Sequence, residues 1–548
     1  MTFRVRWLGR VRYQDAHALQ RALFERSSDD HLLLLEHPAV YTMGVRAKPE
    51  HVLVDPAAVG AELIDTDRGG DVTYHGPGQL VGYPIVSVPM GPDATPKYVH
   101  DIEQLVIDSL NDVGLTGASR LSDYPGVWVG ADTPTPRKIA AIGVRLTRGR
   151  SMHGFALNVT PDLAMFHHIV PCGIANNAVT SLTAEGVDVT MHQVVDAVVA
   201  RAERLWGQHA VERADVAWKV RPDDLAPFTR GEGTGGTPVR LLGRLAQAGV
   251  DADAGLAVDA RKPEWLRVKA NLGPEYRDLK KTMRSLDLVT VCEEAGCPNI
   301  FECWADGTAT FMINGERCTR ACGFCLVDTR KPLALDAAEP EHVADAVERM
   351  GLEHAVVTAV ARDDLADGGA AAFAATIEAV RRRVPGCAVE VLIPDCKGDP
   401  DALQTIFDAH PDVLNHNMET VARLQRAVRP SASYARSLAV LARANAAGLT
   451  VKSGLILGMG ETADEVVATL ADMRAVGVDI VTLGQYLRPT ANHLPVARWW
   501  TPEEFDDLRV IGEAMGFGHV QASPLTRSSY HAREAASGAS TGSAPTSV

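Results

Sequence analysis

The 548-residue sequence contains no apolar run near the ~20 residues that a bilayer-spanning helix needs. Its opening, MTFRVRWLGRVRYQDA, scatters charge and lacks the apolar centre of a signal peptide, so a cytoplasmic protein without a membrane partner is expected. Basic charge is scarce too: 54 Lys and Arg stand against 69 Asp and Glu, a net charge of -15, and no local basic stripe offsets it. That balance opposes binding to phosphate backbones, and no nucleic-acid partner is expected. Cysteine is nearly missing from the first half, where Cys172 stands alone among nine in the chain.

The remaining cysteines are not spread evenly. Cys292, Cys297, Cys303, Cys318, Cys322 and Cys325 crowd one short stretch, which without an export signal reads as metal ligation before disulfides. Cys387 and Cys396 lie in or beside strand-like runs and are expected to be buried.

A chain this long exceeds the roughly 250 to 300 residues at which single cores stop growing. Two α/β domains are expected: residues 1–215, a linker at 216–240 around the apolar-free run TRGEGTGGT, a second domain at 241–534, and a disordered tail at 535–548. In the first part, HLLLLEHPAVYTMG, QLVGYPIVSV, YPGVWVG, RKIAAIGVRL and MHGFALNVT read as neighbouring strands among a few helices, an α+β pattern. In the second, apolar runs such as HAVVTAV, AVEVLIPD and LTVKSGLILG alternate with helical stretches. Six or so such repeats predict a parallel sheet forming a full or partial TIM-type barrel.

Cys318-x3-Cys322-x2-Cys325 follows the strand-like FMING. Three thiolates on one loop can hold three irons of a cubane and leave the fourth open, able to chelate S-adenosylmethionine and reduce it to a 5′-deoxyadenosyl radical. A zinc knuckle would want four ligands in two pairs, and no fourth cysteine or histidine follows nearby. Gly368 and Gly369 can admit a cofactor or simply turn the chain, and Asn415, His416 and Asn417 can face the barrel mouth or close it.

From about Arg261 to Ala532 the sequence resembles lipoyl synthase, through RKPEWLRVK, both cysteine triplets, ARDDLADGG, NHNMET, VRPSASYARSL, KSGLILGMGET, GQYLRPT and RSSYHA. The resemblance implies a radical S-adenosylmethionine enzyme with two [4Fe-4S] clusters: one on Cys318, Cys322 and Cys325, and an auxiliary one on Cys292, Cys297, Cys303 and Ser529, consumed as sulfur source. The implied substrate is an octanoyl chain on a lysine of a carrier domain, sulfurated at carbons 6 and 8. Implied partners are lipoyl domains of 2-oxoacid dehydrogenases, the glycine cleavage H protein, and an electron donor such as ferredoxin or flavodoxin.

In the first part, RGGDVTYHGPGQLVGYP can bring backbone N–H groups against a thioester or merely turn a corner. Lys138 and Cys172 would together suffice for acyl transfer, since an ammonium lowers a thiol's pKa, but singly each is an ordinary strand or core residue. His75 reads equally as a proton shuttle or a satisfied loop histidine, and Arg145, Arg148 and Arg150 as a solvated turn or a site for an acidic carrier. Nearly all of residues 1–210 resembles lipoyl(octanoyl) transferase, through EHPAVYTMG, RGGDVTYHGPGQ, RKIAAIGV, MHGFALNV and PCGI. That resemblance implies the biotin and lipoate protein ligase fold, with Cys172 carrying an octanoyl thioester from octanoyl-acyl carrier protein and Lys138 lowering its pKa. It also implies a substrate channel lined by Arg68, Gly69, Gly70, Asp71, Val72, Thr73, Tyr74, His75, Ala141, Ile142, Gly143, Gly154, Phe155 and Ala156. Two rival readings are an adenylating lipoate or biotin ligase fused to another sulfur-inserting radical enzyme, and a non-catalytic iron-sulfur scaffold.

Overall fold

The nine residues after Met1 form a core strand. Phe3, Val5 and Trp7 alternate into the core of the first unit, while Arg4 and Arg6, on the other face, pair with Glu212. The computed structural model describes residues 1–122, 124–170, 178–218, 239–251, 255–267, 289–290, 308–530 and 532–536. Cys172, Cys292, Cys297, Cys303, the TRGEGTGGT joint and all but two residues of the expected tail lie outside them. The chain divides into two compact units, Met1–Trp218 and Lys219–Val548.

The first unit runs β1 (Thr2–Arg10), α1 (Tyr13–Arg26), β2 (Asp30–Glu36), β3 (Val40–Met43), β4 (Glu62–Asp65), β5 (Val72–His75), β6 (Gln79–Ile85), α2 (Ala94–Asp112), β7 (Ala118–Leu121), β8 (Tyr124–Val129), β9 (Arg137–Thr147), β10 (Arg150–Asn158), β11 (Ala178–Val179), α3 (Met191–Trp206) and β12 (Ala210–Asp215). Its main sheet has the order β12-β1-β2-β6-β10-β9-β8-β7, with β11 beside β9, and a small sheet runs β4-β3-β5. β1 pairs in parallel with both β2 and β12, whereas the β2, β6, β10, β9, β8 and β7 neighbours are antiparallel. The β9–β10 hairpin turns on Arg148 and Gly149, both at positive φ (52° and 71°), as a two-residue turn matched to strand twist requires. Helices α2 and α3 bury Ile102, Val106, Val195 and Val198 against this sheet.

The second unit contains α4 (Val239–Gln247), β13 (Val289–Thr290), β14 (Thr308–Ile313), α5 (Glu339–Met350), β15 (His354–Ala359), α6 (Ala370–Arg383), β16 (Ala388–Leu392), α7 (Pro400–Asp408), β17 (Val413–Asn415), α8 (Gln425–Val428), α9 (Tyr434–Ala446), β18 (Val451–Leu457), α10 (Ala463–Ala475), β19 (Ile480–Gln485), α11 (Pro502–Ala514) and β20 (His519–Ala522). Strands β14 to β20 lie side by side in chain order, every neighbour parallel, as the alternating pattern predicts; among the described strands of this sheet only β13 is antiparallel. Capping boxes open α10 (Thr462 with Glu465) and α11 (Thr501 with Glu504), satisfying N–H groups that the first helical turn leaves without partners. The strands are not wholly apolar: Lys452 of β18 and Glu390 of β16 are fully buried and paired, Nζ to Oε1 at 2.9 Å. No described helix is long and apolar enough to cross a membrane.

Candidate active sites

In the second unit the three-cysteine loop follows β14, at the C-terminal edge of the parallel strands where such folds place their chemistry. Neighbouring loops and the end of α8 tie it down. Cys318 N donates to Asp328 O (2.8 Å), Thr319 N to Ala361 O (3.0 Å) and Gly323 N to Val428 O (2.8 Å), while His493 Nε2 meets Cys325 O (2.9 Å). Arg320, between the first two cysteines and only 8% exposed, donates to both oxygens of Asp363 (2.8 Å each) and to Asp395 (2.6 Å) beyond β16. Sequence reading missed this clamp, because its partners sit 43 and 75 residues away.

Burial pushes the Cys322 thiol up to about 12 and the Cys325 thiol up to about 11. Neither gives up its proton readily near neutral pH without a cation. Three thiols on one clamped loop are the donor set an iron-sulfur cubane with one open iron demands, and binding metal is what would draw those protons off. The residues present therefore fit the group.

Around this edge, Gly368 and Gly369 both take positive φ, and a Cβ on Gly369 would lie 2.4 Å from Asn314 Nδ2. The pair turns the chain tightly into α6. His416 faces the helices, with Nδ1 donating to Ile393 O (2.9 Å) and Nε2 beside Ser437 Oγ (3.0 Å); burial lowers its pKa to about 4. Asn415 and Asn417 face the other way. Asn415 Nδ2 donates to Glu390 (3.2 Å) and Asn417 Nδ2 to Ser528 Oγ (2.7 Å), so Ser528 of RSSY lies against these strand ends. Cys387 and Cys396 are buried, as expected.

In the first unit the expected channel segments converge. Gly154, Phe155 and Ala156 of β10 pair directly with Gly143, Ile142 and Ala141 of β9, and Gly69 N donates to Val144 O (3.1 Å). A Cβ on Gly143 would lie 2.9 Å from Gly69 O, so glycine permits this approach. Arg68 is buried and donates to Thr42 O (2.6 Å), fixing the loop from within. Asp71 meets His51 Nδ1 (2.9 Å), Val72 and Tyr74 join a small apolar cluster, and Thr73 pairs with Thr42 across β5 and β3. His75 contacts Gln79 Oε1 through Nδ1 (2.8 Å), and desolvation holds its pKa well below the usual value. It is a buried neutral member of a network.

Lys138 lies on β9 with Nζ donating to Pro125 O (3.2 Å) and 4.6 Å above the Trp128 ring. β11, which follows residues 171–177, returns beside it, Val179 opposite Lys138. Arg145 and Arg150 are engaged by Asp67 and the Asp29 carbonyl. His17, Asp67 and His153 also converge, both Nε2 atoms facing Asp67 Oδ1 (3.2 and 2.8 Å). Arg145 occupies the other Asp67 oxygen, and His153 Nδ1 is buried without the acceptor that a metal-bound imidazole normally has. The trio is a hydrogen-bonded brace for the Arg68 loop.

Three family models match the chain: the lipoyl protein ligase A/B catalytic domain at residues 12–203, the radical SAM superfamily at 312–473, and the N-terminal domain of lipoyl synthase at 252–297. A lipoyl synthase of Rubrobacter xylanophilus is 60% identical over 275 residues, covering 50% of this chain and 86% of that protein. The chain belongs to the lipoyl synthase family. A Mycobacterium tuberculosis lipoyl synthase is 56% identical over 272 residues, again 50% of this chain and 88% of the relative, so the family accounts for one half of the polypeptide. Among solved structures, a bi-partite lipoate protein ligase from Thermoplasma acidophilum aligns with TM-score 0.34 and 19% identity over 39% of this chain and 88% of that one. Methylornithine synthase aligns with TM-score 0.28 and 14% identity over 45% of this chain and 81% of that one. The lipoyl synthase half is thus joined to a lipoate-ligase-like catalytic domain, and radical S-adenosylmethionine chemistry on an iron-sulfur cluster follows from the family.

Proposed function

We propose that the chain carries out both stages of protein lipoylation. The first unit moves an octanoyl group from octanoyl-acyl carrier protein to a lipoyl-domain lysine through a thioester on Cys172. The second inserts sulfur at carbons 6 and 8 of that same chain, so the product of one unit is the substrate of the other. The observation that carries the reading is the clamped Cys318, Cys322 and Cys325 loop at the C-terminal edge of seven parallel strands. For the first unit, support comes from Lys138 lying beside the strand that follows the Cys172 segment.

In this reading Lys138 favours the thiolate of Cys172 electrostatically, and the close backbone approaches at Gly69, Gly143 and Gly154 hold the substrate-lining segments against one another. Arg320, Asp363 and Asp395 hold the cysteine loop in place before any iron arrives. When bound, the clusters and S-adenosylmethionine supply the one-electron chemistry that activates unreactive C–H bonds. Cys292, Cys297, Cys303 and Ser529 would hold the auxiliary cluster.

The test is anaerobic purification with iron and sulfide counting, then mass analysis of a carrier domain incubated with octanoyl-acyl carrier protein, reductant and S-adenosylmethionine. Octanoylation without ATP followed by gain of two sulfurs is expected. An absolute requirement for ATP would replace the transferase with an adenylating ligase, and failure to cleave S-adenosylmethionine would leave only a scaffold.

A further inference from the structure

Beyond β20 the chain folds back over the strand ends of the second unit. Ser523 N donates to Leu483 O (3.2 Å), Gln485 N donates to Pro524 O (3.2 Å), and Thr526 N closes a turn on Ser523 O (3.1 Å). The approach depends on glycine at 484, where a Cβ would lie 2.0 Å from Thr526 O. Asn417 Nδ2 then reaches Ser528 Oγ at 2.7 Å, across 111 positions of sequence. Asn417 is itself held, its carbonyl accepting from Arg429 (2.9 Å) and its Nδ2 also donating to Glu419 (3.1 Å).

Farther on, Ala535 packs against Val413 and Ile480 at the strand starts. Side chains alternate along a strand, so Asn415 and Val413 share one face, as do Gly484, Thr482 and Ile480. Asn417 joins them, its Oδ1 lying 3.0 Å from a Cβ placed on Gly454, the residue opposite Thr482. The segment therefore follows a single face of the sheet from strand ends to strand starts. It is the face that carries the Glu390–Lys452 pair, because Asn415 of the same series bonds Glu390. Ser529 makes no side-chain hydrogen bond among the described residues, whereas Ser528 is committed.

We propose that Ser528 is a positioning residue: its hydroxyl, held by Asn417, latches the closing segment across the strand ends so that radical generation stays coupled to sulfur insertion. This rests on the functional reading above. A loose segment would let S-adenosylmethionine be cleaved without product, since Ser529, one residue on, would no longer be held at the reaction chamber.

The test uses the full chain with Ser528→Ala and Ser528→Thr. Ser528 is partly exposed, so neither change empties the core. Hydrogen exchange over residues 523–530 before cluster loading should run about fivefold faster in Ser528→Ala, as loss of one ordinary hydrogen bond implies, with β19 unchanged. In the loaded enzyme the ratio of 5′-deoxyadenosine to lipoyl product should rise severalfold, and Ser528→Thr, which keeps the hydroxyl, should restore both. Exchange at the wild-type rate, or an unchanged ratio, overturns the latch. A wild-type chain that cleaves no S-adenosylmethionine overturns the functional reading and the coupling together, whereas wild-type cleavage with unmoved variants removes the latch alone.

Discussion

Four buried histidines of the first unit are kept neutral, whereas two buried carboxylates of the second, Glu390 and Asp395, are kept charged against a cation. His31, His37, His75 and His153 are all buried with their pKa values lowered chiefly by desolvation, His37 to about 4. Against these, the second unit buries Glu390 with Lys452 and Asp395 with Arg320, the Asp395 carboxyl lying at about 2. A neutral imidazole needs only hydrogen-bond partners, such as Tyr83 for His37 (2.7 Å). An ion pair gives rigid, directional anchorage, which suits a loop that must wait for metal. It also leaves a large penalty if one partner is lost.

The contrast breaks most sharply at the cysteines. Replacing Cys318, Cys322 and Cys325 together by Ala should reduce S-adenosylmethionine cleavage below detection in a 5′-deoxyadenosine assay while octanoyl transfer proceeds at the wild-type rate. Loss of both activities in a folded protein would show that the units do not work independently.

Removing one half of a buried pair comes next. Lys452→Met strands the Glu390 carboxylate and should destabilise the second unit by roughly 3–5 kcal/mol, with Glu390→Gln in the same chain recovering part of it. Urea unfolding followed by unit-specific exchange would read this, and the first unit should not move.

Acid should then separate the units in the opposite sense. A histidine whose folded pKa lies below 6.5 takes up its proton more readily when unfolded, so its contribution disappears as pH falls from about 6.5 toward the folded value. For His37 alone that amounts to roughly 3 kcal/mol by pH 4, while the depressed Asp395 carboxyl keeps its contribution until pH falls below about 3.8 and through its folded value near 2. Calorimetry between pH 7 and 4.5 should show the first unit's transition falling faster, because it carries four such histidines where the second carries His416, also lowered to about 4; parallel shifts would contradict the comparison.

The smallest effect is expected at Lys138. Lys138→Met should slow acylation about tenfold near neutral pH, with recovery as the pH is raised and the thiolate forms unaided. A rate that stays low at every pH would take the lysine out of the activating role.

Much of this was legible from local pattern. The alternation of apolar runs with helices announced the parallel sheet, and the strands YPGVWVG, RKIAAIGVRL and MHGFALNVT appear as β8, β9 and β10. β1 was not recognised: its three arginines read as scattered charge, although Arg4 and Arg6 alternate with Phe3, Val5 and Trp7, and its outer face becomes intelligible only once Glu212 of β12 lies beside it. Gly368 and Gly369 could be read as turn or cradle until Asn314 was seen against them.

By itself the sequence determined what depends on neighbours along the chain: strand and helix periodicity, capping boxes such as Thr462 with Glu465, the positive-φ turn at Arg148 and Gly149, and the spacing of three thiols on one loop. Tertiary structure alone decided which distant groups meet: Glu390 with Lys452, Arg320 with Asp395, Asn417 with Ser528, and β1 between β2 and β12. The reason is physical. Periodicity and turn chemistry are set by bonds a few residues long, whereas a buried carboxylate or a latch acquires its partner only when chain segments tens of residues apart are packed against each other and water is excluded between them.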